Sequence, residues 1–81
     1  MSNLWSGNIA TEGQYVSLAE KSGLSFSSGT KYTIQCQNPT WVREGEIGRG
    51  FFVSDDKPFD YTAGNDTLFI KTDYAFVNIA D

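Results

Sequence analysis

Alternation of apolar and polar residues runs through most of the chain and predicts β-strands. The clearest case is KYTIQCQ, residues 31–37, where Tyr32, Ile34 and Cys36 share one face and the polar side chains share the other. Shorter runs that favour extended structure are QYVSL, LSF, WVRE, FFVSD, residues 59–62 and the last fifteen residues. Turn residues separate most of them. About eight short strands at close spacing predict an all-β protein, a small antiparallel β-sandwich or barrel.

The segment around Leu18 has two interpretations. As a strand, QYVSL places Val16 and Leu18 on the same face. Alternatively, Ser17 and Glu20 match a capping box that opens a helical turn, which Gly23 would end after five residues. The strand is the preferred interpretation, because so short a helix is not stable alone.

The closing segment TLFIKTDYAFVNIAD, residues 67–81, predicts a β-hairpin with Thr72 and Asp73 as its loop. In this register Phe69 faces Phe76, and a slip by one position would mix apolar with polar residues. One face is aliphatic and suits a core: Leu68, Ile70, Ala75, Val77 and Ile79. The other face carries aromatic and polar side chains: Thr67, Phe69, Lys71, Tyr74, Phe76 and Asn78.

Aromatic side chains are numerous, twelve among 81 residues, and they predict a contact surface. The Phe69 and Phe76 rings either are covered within the chain or offer a partner about 300–500 Å², against the roughly 800 Å² that one side of a standard interface buries. Phe51 and Phe52 cannot both enter one core, because neighbouring strand residues point to opposite faces. The predicted interface residues are Trp5, Trp41, Phe51, Phe69, Tyr74 and Phe76.

Trp5 lies in a segment rich in Ser, Asn and Gly, which predicts an N-terminal arm at residues 1–13. Its ring would attach this arm either to its own sandwich or to a neighbouring subunit. Residues 14–81 are predicted to form a single β-sandwich domain. Folding so short a chain buries about 60–65% of the surface that the unfolded chain exposes, so a homo-oligomer or a docked partner is expected to complete it.

Charge and cysteine content narrow the possible partners and cofactors. The net charge is −4, and no basic cluster is present, so nucleic acid is not an expected partner. There is no histidine and a single cysteine, which rules out an internal disulfide and the usual zinc, haem and iron–sulfur ligand sets. No cofactor or metal is therefore expected. Cys36, at an inward strand position, is interpreted as a small buried hydrophobe.

An enzyme is not predicted. Without histidine the serines have no usual base beside them. Carboxylates could form a glycosidase pair, and the candidates are Glu44, Glu46, Asp55, Asp56 and Asp60. They fall in predicted loops of a domain too small to frame a sugar cleft. With no long apolar run and no basic N-terminal region before one, we expect no membrane segment and synthesis in the cytoplasm.

The succession TKYTIQCQN, then WVREGEIGRGFFVSDDKPFDYTAGNDTLFIKT, then AFVNIAD resembles small all-β structural proteins of tailed bacteriophages. The resemblance covers roughly residues 14–81 and rests on the order of strand motifs. It implies a virion protein without enzymatic activity, of the head decoration (cement) type or associated with the tail or fibre. The expected partners are the major capsid protein or another virion protein, together with further copies of the chain.

Two other functions stay open. One is a carbohydrate-binding or host-adhesion module of a tail or fibre, in which Trp and Tyr rings stack on sugar rings while Asn, Gln and Asp bind the hydroxyls. The other is an inhibitor that mimics the charge of nucleic acid, for which the net charge of −4 is small.

Overall fold

The computed structural model describes residues 3–46, 50–54, 56–64 and 66–81. Its elements in chain order are β1 (Asn3–Ile9), β2 (Val16–Ser17), α1 (Leu18–Ser22), β3 (Lys31–Cys36), β4 (Thr40–Glu44), β5 (Phe51–Val53), β6 (Phe59–Thr62), β7 (Leu68–Lys71) and β8 (Ala75–Ala80). Eight strands with one short helix confirm the predicted all-β fold. The strand predicted at residues 31–37 is confirmed as β3.

The strands form two antiparallel sheets of four strands each. Sheet A has the order β1-β8-β3-β6, and sheet B has the order β2-β7-β4-β5. The inward-facing side chains of both sheets make one hydrophobic core. Asn3–Ile9 pairs with β8, so from Asn3 onward the segment predicted as an arm includes the edge strand of sheet A.

The predicted closing hairpin is wrong. Strand β7 pairs with β2 and β4 in sheet B, whereas β8 pairs with β1 and β3 in sheet A. Phe69 therefore lies opposite Ser17 and Arg43, and Phe76 lies opposite Asn8 in the other sheet. The reason lies in the connection: the backbone of buried Thr72 is bonded to Thr11, which holds the chain in a crossing between the sheets.

The predicted division of these two strands into faces is nevertheless confirmed. All five aliphatic residues of the set are buried, namely Leu68, Ile70, Ala75, Val77 and Ile79. A period of two fixes which face of a strand is apolar without fixing which strand lies beside it.

Around Leu18 the helical alternative is the correct one. Ser17 Oγ accepts a hydrogen bond from the Glu20 amide at 3.4 Å, and the helix ends at Gly23, whose φ is 76°. This φ favours glycine because it has no Cβ. The strand interpretation of Leu18 is wrong, yet its side chain is fully buried, so the core stabilises a helix that would not form alone.

The strand predicted at LSF is also wrong, since residues 24–26 are irregular. Leu24 and Phe26 still pack against the core. The Phe26 ring meets Tyr32 and Tyr61 edge-on, with centroids 4.8 and 5.6 Å apart. Contact with aromatic rings thus replaces strand pairing as the force that holds this segment in place.

Trp5 packs against its own sandwich, the first of the two predicted alternatives. It pairs with buried Ile79 and therefore faces the core side of sheet A. Its indole lies across Gly7, where a Cβ would stand 2.7 Å from the Trp5 ring atom Cζ2. The absence of a side chain at Gly7 is what allows the ring to lie flat at this edge.

We expect Gly7→Ala to lower the free energy of unfolding by about 1 kcal/mol, because the added methyl group pushes the Trp5 ring out of its place. Gly64→Ala is the matched control, since a Cβ there meets nothing within 4 Å. Urea unfolding together with the NMR signal of the Trp5 indole N–H measures both effects. Equal stability of the two variants, with an unshifted indole signal, would contradict the close packing at Gly7.

Candidate interaction surface

The two sheets present chemically different outer faces. The outer face of sheet A is mainly polar: Ser6, Asn8, Lys31, Thr33, Gln35, Asp60, Thr62 and Asn78, with Phe76 among them. Neighbouring strands satisfy several of these groups. Ser6 Oγ donates to Asn78 Oδ1, and Asp60 accepts from Thr33 at 3.1 Å and pairs with Lys31 at 3.6 Å. Much of this polar surface is therefore already engaged within the chain.

The outer face of sheet B combines rings with positive charges, and we call it the aromatic–cationic face. It consists of Tyr15, Trp41, Arg43, Phe52, Phe69 and Lys71. Trp41 is flanked by Phe52 on one side and Lys71 on the other. The Trp41 and Phe52 rings meet edge-on with centroids 5.7 Å apart. They are 45% and 43% exposed, so this half of the face is open to a partner.

The other half of the face is built around Arg43. Its Cζ atom lies 4.1 Å from the centroid of the Tyr15 ring and 5.5 Å from that of Phe69. Its Nε–H donates to the Gly45 carbonyl at 2.9 Å. Lys71 Nζ lies 4.9 Å from the same Tyr15 ring. Contacts between cations and ring faces restrain both basic side chains in the free protein.

Gly50 explains how Tyr15 reaches this position. A Cβ at residue 50 would stand 2.2 Å from Tyr15 Oη, so only glycine lets the phenol come this close to the backbone. Tyr15 itself precedes β2 and contacts cations from β4 and β7. The Tyr15 ring therefore links the segment before β2 to β4 and β7, the two inner strands of sheet B.

An open groove continues the aromatic–cationic face beyond Trp41. Its volume is about 340 Å³, and its lining residues are Gly13, Pro39, Trp41, Lys71, Thr72 and Asp73. It brings an exposed indole together with a lysine, a hydroxyl and a carboxylate. A second groove lies beside Glu12, with Thr11, Gln14 and Lys21 among its lining.

The six predicted interface residues do not share one surface. Trp41 and Phe69 lie on the aromatic–cationic face, but Phe69 is half-buried beside Arg43. Phe76 lies on the opposite sheet and Trp5 packs inward, so the predicted Phe69–Phe76 pair does not exist. Tyr74, 56% exposed, belongs to the connection between β7 and β8.

Phe51 and Phe52 are both exposed, at 55% and 43%. Phe52 points outward, which agrees with the prediction that Phe51 and Phe52 do not both enter the core. Phe51 points to the core side, but β5 is an edge strand, and its ring stacks on Phe59 of the facing edge strand β6 at 5.7 Å. Strand alternation is enough to predict that Arg43 and Trp41 share one face of β4. The position of Tyr15 depends on a loop, and the alternation of apolar and polar residues does not predict it.

Several of the remaining candidate groups are engaged in structure. Cys36 is fully buried, as predicted. Burial, and then the negative charge of Glu44, raises the pKa of Tyr61 above the usual tyrosine value, and its hydroxyl donates to the Asp66 carbonyl at 2.9 Å. Of the predicted glycosidase carboxylates, Asp60 is paired with Lys31, and Asp55 lies outside the described residues.

Two kinds of site are absent from the described part of the chain. Its His, Cys, Asp and Glu side chains form no group of three or more placed to hold a metal ion. None of its helices has the length and apolar character needed to cross a bilayer.

The fold and the surface together define a small β-sandwich with one aromatic–cationic outer face and one mainly polar outer face. Comparison with protein-family models, with curated proteins and with solved structures found no significant match. The resemblance to bacteriophage structural proteins therefore stays a prediction.

Proposed function

We propose that this chain is a structural protein of a bacteriophage virion without enzymatic activity, of the capsid decoration type. It binds the major capsid protein through the aromatic–cationic face, and further copies of itself pack beside it on the particle. The observation that carries the proposal is this face itself, where Trp41 and Phe52 stand open to solvent beside a fixed arginine.

The composition of the face supports a protein partner. Tryptophan, tyrosine and arginine are the residues most enriched among those that dominate binding energy in protein interfaces. Here Arg43 lies over the Tyr15 ring, and Trp41 lies two residues before it on the same face of β4. The rings restrain the arginine before any partner arrives. Because little side-chain freedom is then lost on binding, more of the contact energy is retained as affinity. The order of strand motifs supplies the link to a virion.

The test is co-sedimentation of the purified chain with capsids assembled from the major capsid protein of the same phage. We expect saturable binding that weakens at least tenfold in the double variant Trp41→Ala, Phe52→Ala, since two central rings are lost. The matched control is Leu4→Ala, Phe76→Ala, which removes apolar side chains from the strands of sheet A. Absence of binding by the unaltered chain, or equal binding by both double variants, would overturn the proposal.

A carbohydrate-binding module is the second candidate, favoured by the groove beside Trp41. The indole offers a flat apolar surface to a sugar ring, and Lys71, Thr72 and Asp73 supply polar atoms at its border. A glycan array separates the two functions. A saturable glycan signal that Trp41→Ala abolishes, together with no binding to capsids, supports this candidate against the first.

A further inference from the structure

Two positive charges on the aromatic–cationic face have no partner among the described carboxylates. The ion pair found in the described residues joins Lys31 to Asp60 on the other sheet. Arg43 and Lys71 instead contact rings. In a chain with ten acidic and six basic residues, two cations on one face that form no ion pair with a described carboxylate stand out against the overall negative charge.

The geometry leaves both cations able to bind an external anion. Both contact the same Tyr15 ring, at 4.1 Å for Arg43 Cζ and 4.9 Å for Lys71 Nζ. The hydrogen bond of Arg43 to Gly45 uses Nε only. Its two terminal amino groups remain for a bidentate bond to a carboxylate, the strongest kind of arginine pairing.

The surroundings favour carboxylates on a polypeptide over a polyphosphate. Asp73 borders the groove beside Lys71. A continuous row of phosphates would meet this negative charge together with the net charge of −4. A peptide can place one or two carboxylates on the cations and lay apolar side chains on Trp41 and Phe52.

We propose that the aromatic–cationic face binds an acidic segment of a partner protein, in which carboxylates pair with Arg43 and Lys71 and neighbouring apolar residues cover Trp41 and Phe52. The inference rests on the proposed function only in assuming that this face docks on a protein, and it names the chemistry of the segment that docks. The occupant is an acidic segment of the capsid protein itself.

The probe is the peptide acetyl-Glu-Leu-Glu-Leu-Glu-amide, with acetyl-Gln-Leu-Gln-Leu-Gln-amide as its neutral counterpart and oligothymidylate as a polyphosphate. Binding to the labelled chain is followed at low salt by the NMR shifts of the β4 and β7 amides. We expect saturable shifts with the acidic peptide, at least tenfold weaker binding of the neutral peptide, and loss of the acidic-peptide shifts as salt is raised.

The double variant Arg43→Gln, Lys71→Gln is expected to bind the acidic peptide at least tenfold more weakly. Lys31→Gln, Lys57→Gln removes the same charge elsewhere and should bind nearly as the unaltered chain does. Should loss of Arg43 disturb the fold, as its spectrum will show, Lys71→Gln against Lys57→Gln repeats the comparison with single changes at a half-buried and an exposed lysine.

Three results would overturn the inference: no shift with the acidic peptide, equal binding of the neutral peptide, or tighter binding of oligothymidylate. The proposed function is tested separately by the capsid assay. If capsid binding is lost in Trp41→Ala, Phe52→Ala but unchanged in Arg43→Gln, Lys71→Gln, the acidic segment is ruled out while the docking role stands.

Discussion

Replacing Ile70 by alanine is expected to lower the free energy of unfolding by about 2–5 kcal/mol. Ile70 is fully buried on β7, an inner strand of sheet B, and it pairs with Val16 on one side and Val42 on the other. Strands on both sides hold the backbone, so the site cannot collapse around the lost atoms. A small domain has about 5–15 kcal/mol of total stability, which makes this a large fraction.

Urea unfolding followed by tryptophan fluorescence measures the loss. The matched control is Ile70→Val, which removes a single methylene group and should cost about 0.5–1.5 kcal/mol. A loss below 1 kcal/mol for the alanine variant, or equal losses for both variants, would show that the region around Ile70 is loosely packed.

Thr11→Val is expected to cost about 1–3 kcal/mol, because it leaves a buried amide without an acceptor. Thr11 Oγ1 accepts a hydrogen bond from the Thr72 amide at 3.0 Å and donates to the Thr72 carbonyl at 3.1 Å. Both residues are buried. Valine keeps nearly the same shape, so the loss reports the hydroxyl and not a cavity.

Thr11→Ser keeps the hydroxyl and is the control, with an expected loss clearly smaller than that of valine. Hydrogen exchange of the Thr72 amide gives a direct reading, since this proton should exchange faster in the valine variant and stay protected in the serine variant. Unchanged protection in Thr11→Val would mean that the hydroxyl does not hold the crossing between the sheets.

The sequence predicts the faces of strands better than their neighbours. Alternation correctly assigns Ile70 and Val77 to the core, although the predicted hairpin between their two strands is wrong. The reason is that alternation depends only on the strand itself. Thr72 and Asp73 suit a two-residue hairpin loop and a crossing between the two sheets equally well. The contact that decides between them comes from Thr11, sixty-one residues away, and no local pattern contains it.

The same limit decides how much of the aromatic–cationic face could be predicted from the sequence. Lys71 was correctly placed on the face that carries Phe69, since both follow from the period of two. Tyr15 could not be placed, because its position depends on an irregular segment and on the missing side chain at Gly50. The capping box at Ser17 shows the opposite case: a local signal was correct, and only the short length of the helix argued against it.

Strands β1 and β8 are neighbours, and Asn3 lies directly opposite Ala80. Both ends of the described chain therefore leave at one corner of sheet A. A short linker would be enough to join Asn3 to Ala80, and residues 3–80 could be inserted into a surface loop of a host protein without stretching either junction. A fluorescent or affinity tag attached at that corner would leave from the sheet opposite Trp41, which suits it for labelling.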